Sequence, residues 1–291
     1  MTIIHHEALP NMRAVPRCRR PWWSLSSIKT SARSAHSSRG WRLRLLQVLV
    51  GLFLVGLWQM AMVSGVVRPS LVSTPHDVWN FLFESSREGT LWINLWATLV
   101  ATLIAFVLGS ALGIVLGLLL GVLPTVQAAV DPYISALNAM PRIALGPLFL
   151  LYFGIGIAAK VALAVSIVVF ILLLNTRAGI LSADPDILRL ASVMGMTRFQ
   201  RFRLILLPVA VPSIFAGLRL GLVYSLLGVV TGELIASQHG LGALVVYYSA
   251  VFNITGIYAI LLVLAVIASL LNMAMVAGER SLLRWQPPSD R

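Results

Sequence analysis

Long apolar runs separated by short polar stretches dominate this chain. A helix crossing about 30 Å of hydrocarbon needs roughly 20 consecutive apolar residues. Runs of that length fall at 43–63, 94–121, 128–153, 159–178, 209–235 and 254–277. Asn138, Pro141, Arg142 and Pro147 interrupt the third, so the count is six spans, or five if that segment does not cross. In the second run Ala101, Ala105, Gly109, Gly113, Gly117 and Gly121 recur every four residues. That spacing lines one helical face with small side chains, so two backbones can approach closely in lipid. Packing inside one bundle is the simpler reading of this face than a subunit interface. Composition agrees with the pattern, at 58% hydrophobic and 11% charged residues and a mean hydropathy of +0.90. The fold class is all-α, a polytopic membrane helical bundle of about six transmembrane helices.

One polar interruption, 182–208, is too organised to be a plain connection. Asp184 is placed to cap a helix that carries Pro185 at its first position, where no N–H is needed. Gly195 supplies a turn, and Thr197 with Gln200 three residues on has the form of a capping box. Pro208 and Pro212 mark the entry into the next apolar run. The expected form is a helix–turn–helix knuckle bearing Arg198, Arg201 and Arg203 and presented to a partner.

Charge orients the bundle. The net charge is +12, and Arg13, Arg17, Arg19, Arg20, Lys29, Arg33, Arg39, Arg42 and Arg44 precede the first span against one acid, Glu7. Cytoplasmic loops retain Lys and Arg, so both termini and the 182–208 loop are expected in the cytoplasm. The outer loops then hold Arg68, Arg87 and Lys160, and the 236–253 loop has no Lys or Arg. Residues 1–42, rich in Ser, Arg and Pro without apolar period, read as a disordered basic tail, with 43–286 the transmembrane domain and 287–291 a short C-terminal tail. Such a tail is an orientation signal near anionic lipid rather than a nucleic-acid site. Neither a cleaved signal peptide nor a twin-arginine signal fits, and the lone Cys18 forms no intramolecular disulfide.

Chemistry is sparse within the spans. Arg142, Arg219 and Glu233 lie in or at the edge of predicted spans, where a charge faces a partner, a cavity or the interface. They are candidates for a translocation pathway or its gating. For Arg142, beside the Pro141 break, hydrogen bonding to free carbonyls is the preferred role. No triad, paired carboxylates or metal-ligand spacing stands out, and Gly154–Lys160 lacks the second Gly and the Ser/Thr of a phosphate loop. No cofactor is expected, and ATP, if it drives transport, binds another polypeptide. The alternative is a self-sufficient secondary permease coupled to protons through Glu233 and His239.

The 189–208 segment resembles the EAA motif of bacterial ABC-importer permeases: E-A-A, three residues, Gly, nine residues, Ile, one residue, Leu-Pro. Here it reads Arg189-Leu190-Ala191, Gly195, Ile205, Leu207-Pro208, with Met196 and Thr197 following the glycine. The spacing is kept throughout, while Arg189 replaces the acid and Leu190 an alanine. Asp77-Val78-Trp79 after Ser73-Thr74-Pro75, Pro141–Gly156, Gly217-Leu218-Arg219, Glu233-Leu234-Ile235, Gly240-Leu241-Gly242 and Leu283-Arg284-Trp285 are similar to the nitrate/sulfonate/taurine subgroup. The resemblance covers about 43–286 and implies a type I ABC importer permease fold in the bacterial inner membrane. It implies that the loop is a coupling helix docking on a cytoplasmic ATPase, with Gly195 making the turn and Ala191 keeping the docking face small. With Arg189 in place of the family's acid, either the ATPase carries a compensating acid or that contact is absent. Implied partners are two ATPase subunits, a periplasmic binding protein met by the outer loops 64–92 and 236–253, and a second permease copy, a homodimer being favoured. The implied cargo is a small oxyanion, with thiamine precursors also within the subgroup's range.

Overall fold

A computed structural model describes residues 45–47, 49–53, 55–60 and 72–282. The basic tail, Arg68 and the closing Leu283-Arg284-Trp285 lie outside the described residues. The pieces of 45–60 are helical, so the first expected span, 43–63, is seen in part.

From Pro75 onward the chain is helical with short breaks. Helix α1 (Pro75–Arg87) starts at Thr74, whose hydroxyl accepts from the Asp77 amide at 3.1 Å. Four long apolar helices follow: α2 (Thr90–Val122), α5 (Ile157–Leu181), α8 (Leu207–Ile235) and α10 (Ile254–Leu282). Each contains one of the expected runs, extended by up to five residues at an end.

The expected span 128–153 needs correction. Its residues form α3 (Pro124–Ala139), a 3₁₀ turn at Arg142–Leu145 and α4 (Gly146–Phe153), bent by 84°. Pro141 forces the break: the residue before a proline is driven out of the helical region, and Met140 is extended at φ −70°, ψ 133°. Among the described residues four helices are long and apolar enough to cross a membrane, or five if the bent pair is one span.

Between α5 and α8 the knuckle folds as α6 (Pro185–Val193) and α7 (Arg198–Arg201). A π turn at Phe202–Leu206 then leads into α8, with the Leu207 amide bonded to the Phe202 carbonyl. Pro208 has no N–H for the Leu204 carbonyl and its ring crowds that oxygen, so the turn before it widens. At the other end of α8, helix α9 (Leu241–Ala250) precedes α10.

The core is a three-helix contact. Helix α5 lies between α2 and α8, and Ala101, Ala105, Ala164 and Val229 are buried together where the three meet. The small-residue face of α2 is turned on α5. A Cβ on Gly113 would lie 2.5 Å from the Val169 carbonyl oxygen, and one on Gly117 2.6 Å from Thr176 Cβ. The packing is thus within one chain, as the sequence favoured. Helix α8 presents a second small face, bearing Gly217, Gly221, Gly228 and Gly232: Cβ atoms on Gly228 and Gly232 would fall 2.8 and 2.9 Å from the Ala164 and Lys160 Cα atoms.

A bulky side chain in this seam has no room to relax. Gly113→Leu is expected to destabilise the folded chain by about 1–3 kcal/mol or more, read as a lower melting temperature in detergent. Leu116→Ala, on an outward position of the same helix (41% exposed), is expected to leave the transition nearly unchanged. Equal melting of the two variants would show that α2 does not pack on α5 through its glycines.

Candidate functional site

The knuckle is closed by its own backbone. The Asp184 carboxylate accepts from the Asp186 amide at 2.8 Å and starts α6. At the far end the Met196 amide reaches the Ala191 carbonyl at 3.0 Å and the Gly195 amide the Ser192 carbonyl at 3.1 Å, a Schellman motif. The motif requires a left-handed residue at Gly195, which has φ +76° and open space where a Cβ would stand. Thr197 and Gln200 then form the reciprocal capping box, at 2.8 and 3.3 Å. Arg201 Nη1 donates to Ser192 Oγ at 3.0 Å, tying α7 to α6.

This frame displays apolar side chains. Leu190, Val193 and Met194 are 59, 86 and 74% exposed along the end of α6. Arg189 is exposed and meets Asp186 at 3.1 Å, a solvated contact of little energetic weight. Thr197 is exposed and Met196 partly so, while Ile205, Leu207 and Pro208 are half-buried where the loop joins α8. Ala191 departs from expectation. It is 4% exposed within this chain, so it faces inward, and the outward face is formed by its neighbours Leu190, Val193 and Met194.

At the opposite end Glu233 is the centre of a buried network. Lys160 Nζ lies 2.7 Å from Glu233 Oε1, with side-chain exposures of 4 and 0%. Thr98 Oγ1 donates to both carboxylate oxygens at 3.0 Å, and the Gly242 amide donates to Oε2 at 2.9 Å. The Leu241 amide donates to Thr98 Oγ1 and the Gly240 amide to Asn94 Oδ1, each at 2.8 Å. Lys160 also donates to the His239 carbonyl at 3.0 Å. Gly240 has φ +134°, and a Cβ there would overlap the Glu233 carboxyl. Lys160 stands in the first turn of α5 and Glu233 in the last of α8, each at the helix end whose dipole disfavours it. Their pairing offsets both penalties and pins the 236–242 segment to α2, α5 and α8. Both Glu233 oxygens are engaged by donors from α2, α5 and the 240–242 turn, and His239 takes part through its backbone carbonyl.

Arg142 and Arg219 are separately placed. Arg142 Nη1 donates to the Ser166 and Ile167 carbonyls of α5 at 2.9 and 3.2 Å, and Nη2 to Asn138 Oδ1 at 2.9 Å. Its guanidinium lies 4.0 Å from the Phe170 ring centroid. Arg142 is a donor to carbonyls of α5, not to carbonyls freed at the Pro141 break as expected. Arg142 also borders an open groove of about 660 Å³ whose lining includes Asn138, Asn175, Tyr224 and Thr231. Arg219 pairs with Glu279 and joins α8 to α10.

Several partners went unread in the sequence. Lys160 looked like a loop charge, Thr98 and Asn94 like span residues, and Asp131 with Arg177 form an ion pair between α3 and α5, its second contact at 2.8 Å. Opposite charges at matching depths of antiparallel helices were the available signal.

Removing one member of the buried pair leaves the other uncompensated. Lys160→Met is expected to cost about 3–5 kcal/mol, measured as thermal stability in detergent. Lys160→Met with Glu233→Gln should recover much of that loss. A double variant as unstable as the sum of the singles would show that the two side chains act independently.

Comparison with known proteins agrees with this architecture. Residues 109–284 match the family model described as binding-protein-dependent transport system inner membrane component. An Escherichia coli K12 protein described as an aliphatic sulfonates transport permease is 30% identical over 247 residues, 85% of this chain and 94% of that one. The riboflavin transport system permease protein of Chloroflexus aurantiacus is 36% identical over 163 residues, 55% of this chain and 60% of that one. The taurine transport system permease protein of E. coli K12 is 33% identical over 162 residues, 56% of this chain and 59% of that one. For the latter two the match spans less than two thirds of the relative. Among solved structures, the inward-facing MetNI methionine ABC transporter superposes with a TM-score of 0.60 at 21% identity, over 67% of this chain and 98% of that one, a likeness of fold. With its long apolar helices and a family match over more than half its length, the chain belongs to the inner membrane components of binding-protein-dependent transport systems.

Proposed function

We propose that this chain is the membrane permease subunit of an ATP-driven ABC importer. It moves a small solute, released by a periplasmic binding protein, into the cytoplasm. The observation that carries this reading is the knuckle: a doubly capped helical pair between two spans whose outward face is Leu190, Val193 and Met194. Exposed apolar side chains on a rigid frame suit a protein partner. The partner is the ATPase, with two copies serving a pair of permeases, most simply a homodimer, and both termini cytoplasmic. ATP hydrolysis resides on that subunit. Closure of the ATPases pulls on the knuckle, and α8, continuous with it through the π turn, transmits the movement to the opposite end, where Glu233 and Lys160 hold the 236–242 segment. Arg189 meets the ATPase at the edge of this contact, beside Leu190.

The solute is a small organic anion of the sulfonate or taurine kind. Two relatives bear sulfonate and taurine names, and Arg142 borders the groove with two of its five N–H donors unclaimed by described residues. Glu233 and Arg219 act in gating, as ion pairs between helices.

Substitution at the knuckle tip tests the reading. Gly195→Asp places a charge on the exposed turn without meeting any neighbour, and is expected to abolish uptake while the protein still inserts. Gly195→Asn, neutral and tolerant of the left-handed conformation, should retain much of the activity. Normal uptake by Gly195→Asp cells would contradict a coupling role.

A further inference from the structure

Beside the knuckle, the end of α2 and the start of α7 enclose two adjoining hollows of about 510 and 390 Å³ that share Val122, Leu123 and Arg198. The floor is apolar, formed by Leu118, Leu119, Val122, Leu123, Phe199 and Phe202. Phe199 is 68% and Leu119 52% exposed. Arg198 and Arg201 stand at the rim. No Asp or Glu lines either hollow. Among the described residues, the ion pairs engage Asp131, Asp186, Glu233 and Glu279, and none includes Arg198 or Arg201. Arg201 has one side-chain acceptor, Ser192 Oγ, and its Nε is buried without a partner. Two cations short of acceptors thus overhang an apolar floor.

Depth identifies the occupant. Leu118–Val122 is the last turn of a membrane-crossing helix, and Pro124 at once begins α3. The floor therefore lies at the boundary between acyl chains and headgroups, where an apolar surface meets lipid tails and an arginine meets phosphate. We propose that this groove is a binding site for an anionic phospholipid, its phosphate held by Arg198 and Arg201 and its acyl chains on Leu119, Val122 and Phe199. The site rests on the membrane placement proposed above. It would set the knuckle's seating on the bundle according to the lipid charge of the leaflet.

Lipid retention tests the site. The full chain, tagged and purified in mild detergent together with whatever co-purifies from bacterial membranes, is exchanged into nanodiscs of phosphatidylcholine with phosphatidylglycerol. Bound lipid is then counted by native mass spectrometry. Wild type is expected to retain phosphatidylglycerol in preference to phosphatidylcholine. Arg198→Gln with Arg201→Gln should lower that retention by about tenfold, and Arg198→Lys with Arg201→Lys should keep most of it, which separates lost charge from lost fold. Leu119→Asp, which charges the floor and leaves both arginines, should also release the lipid.

Equal phosphatidylglycerol retention in wild type and the Gln variant would overturn the site. So would a Gln variant that keeps its lipid but loses co-purifying subunits, since the arginines would then contact protein. If wild type carries no ATPase, the coupling reading fails while the lipid count still reports on the groove. If ATPase is present and lipid preference absent, the lipid site alone fails.

Discussion

Close backbone approach around α5 is the constraint from which the rest of the structure follows. In lipid there is no hydrophobic force between helices, so association depends on contact distance and interhelical hydrogen bonds. The glycine face of α2 and that of α8 bring both helices against α5, to where a single added Cβ would collide with backbone. That geometry fixes what each end of the sandwich holds. At one end it sets Lys160, Glu233 and Thr98 within hydrogen-bonding range. At the other it brings the last turn of α5 and the first of α8 near enough for a short helical knuckle to bridge them.

Embedded charges work mainly as links between neighbours in this bundle. Asp131–Arg177 joins α3 to α5, Lys160–Glu233 joins α5 to α8, and Arg219–Glu279 joins α8 to α10. Charges are costly in hydrocarbon and cheapest when paired, so they specify which helices adjoin and at what depth. Arg142 differs: its acceptors are carbonyls and an amide, and its guanidinium borders an open groove. The two ends of α8 thus serve opposite purposes, one rigidly tied to the 236–242 segment and one continuous with a surface suited to a partner.

The sequence revealed local features well and pairings poorly. Apolar length located the four long helices, and cap chemistry located the knuckle, because Asp184, Gly195, Thr197 and Gln200 act on backbone within a few residues of themselves. The alternation of small residues in α2 was legible for the same reason. The glycines of α8, Gly217, Gly221, Gly228 and Gly232, share one helical face at four- and seven-residue spacing, but which helix they meet emerged only once Ala164 and Lys160 lay opposite them. Proline at 141 showed that a break would occur but not that the chain would turn by 84°. Glu233 was visible as an embedded acid. Its partner, 73 residues away, was not, because Lys160 looks like a solvated loop residue until α5 and α8 are set side by side. Ala191 was assigned outward by its place in a motif, whereas the amphipathic turn of α6 buries it and exposes Val193 and Met194.

The central claim is that the knuckle is the seat of a separate ATPase. Affinity purification of the tagged chain from native membranes in mild detergent, with co-purifying subunits identified and counted by mass spectrometry, tests it most directly. The account predicts an ABC ATPase in a one-to-one ratio with the chain, released when Val193 and Met194 are both replaced by glutamate. A chain that purifies without any ATPase, yet transports solute when reconstituted alone, would contradict it.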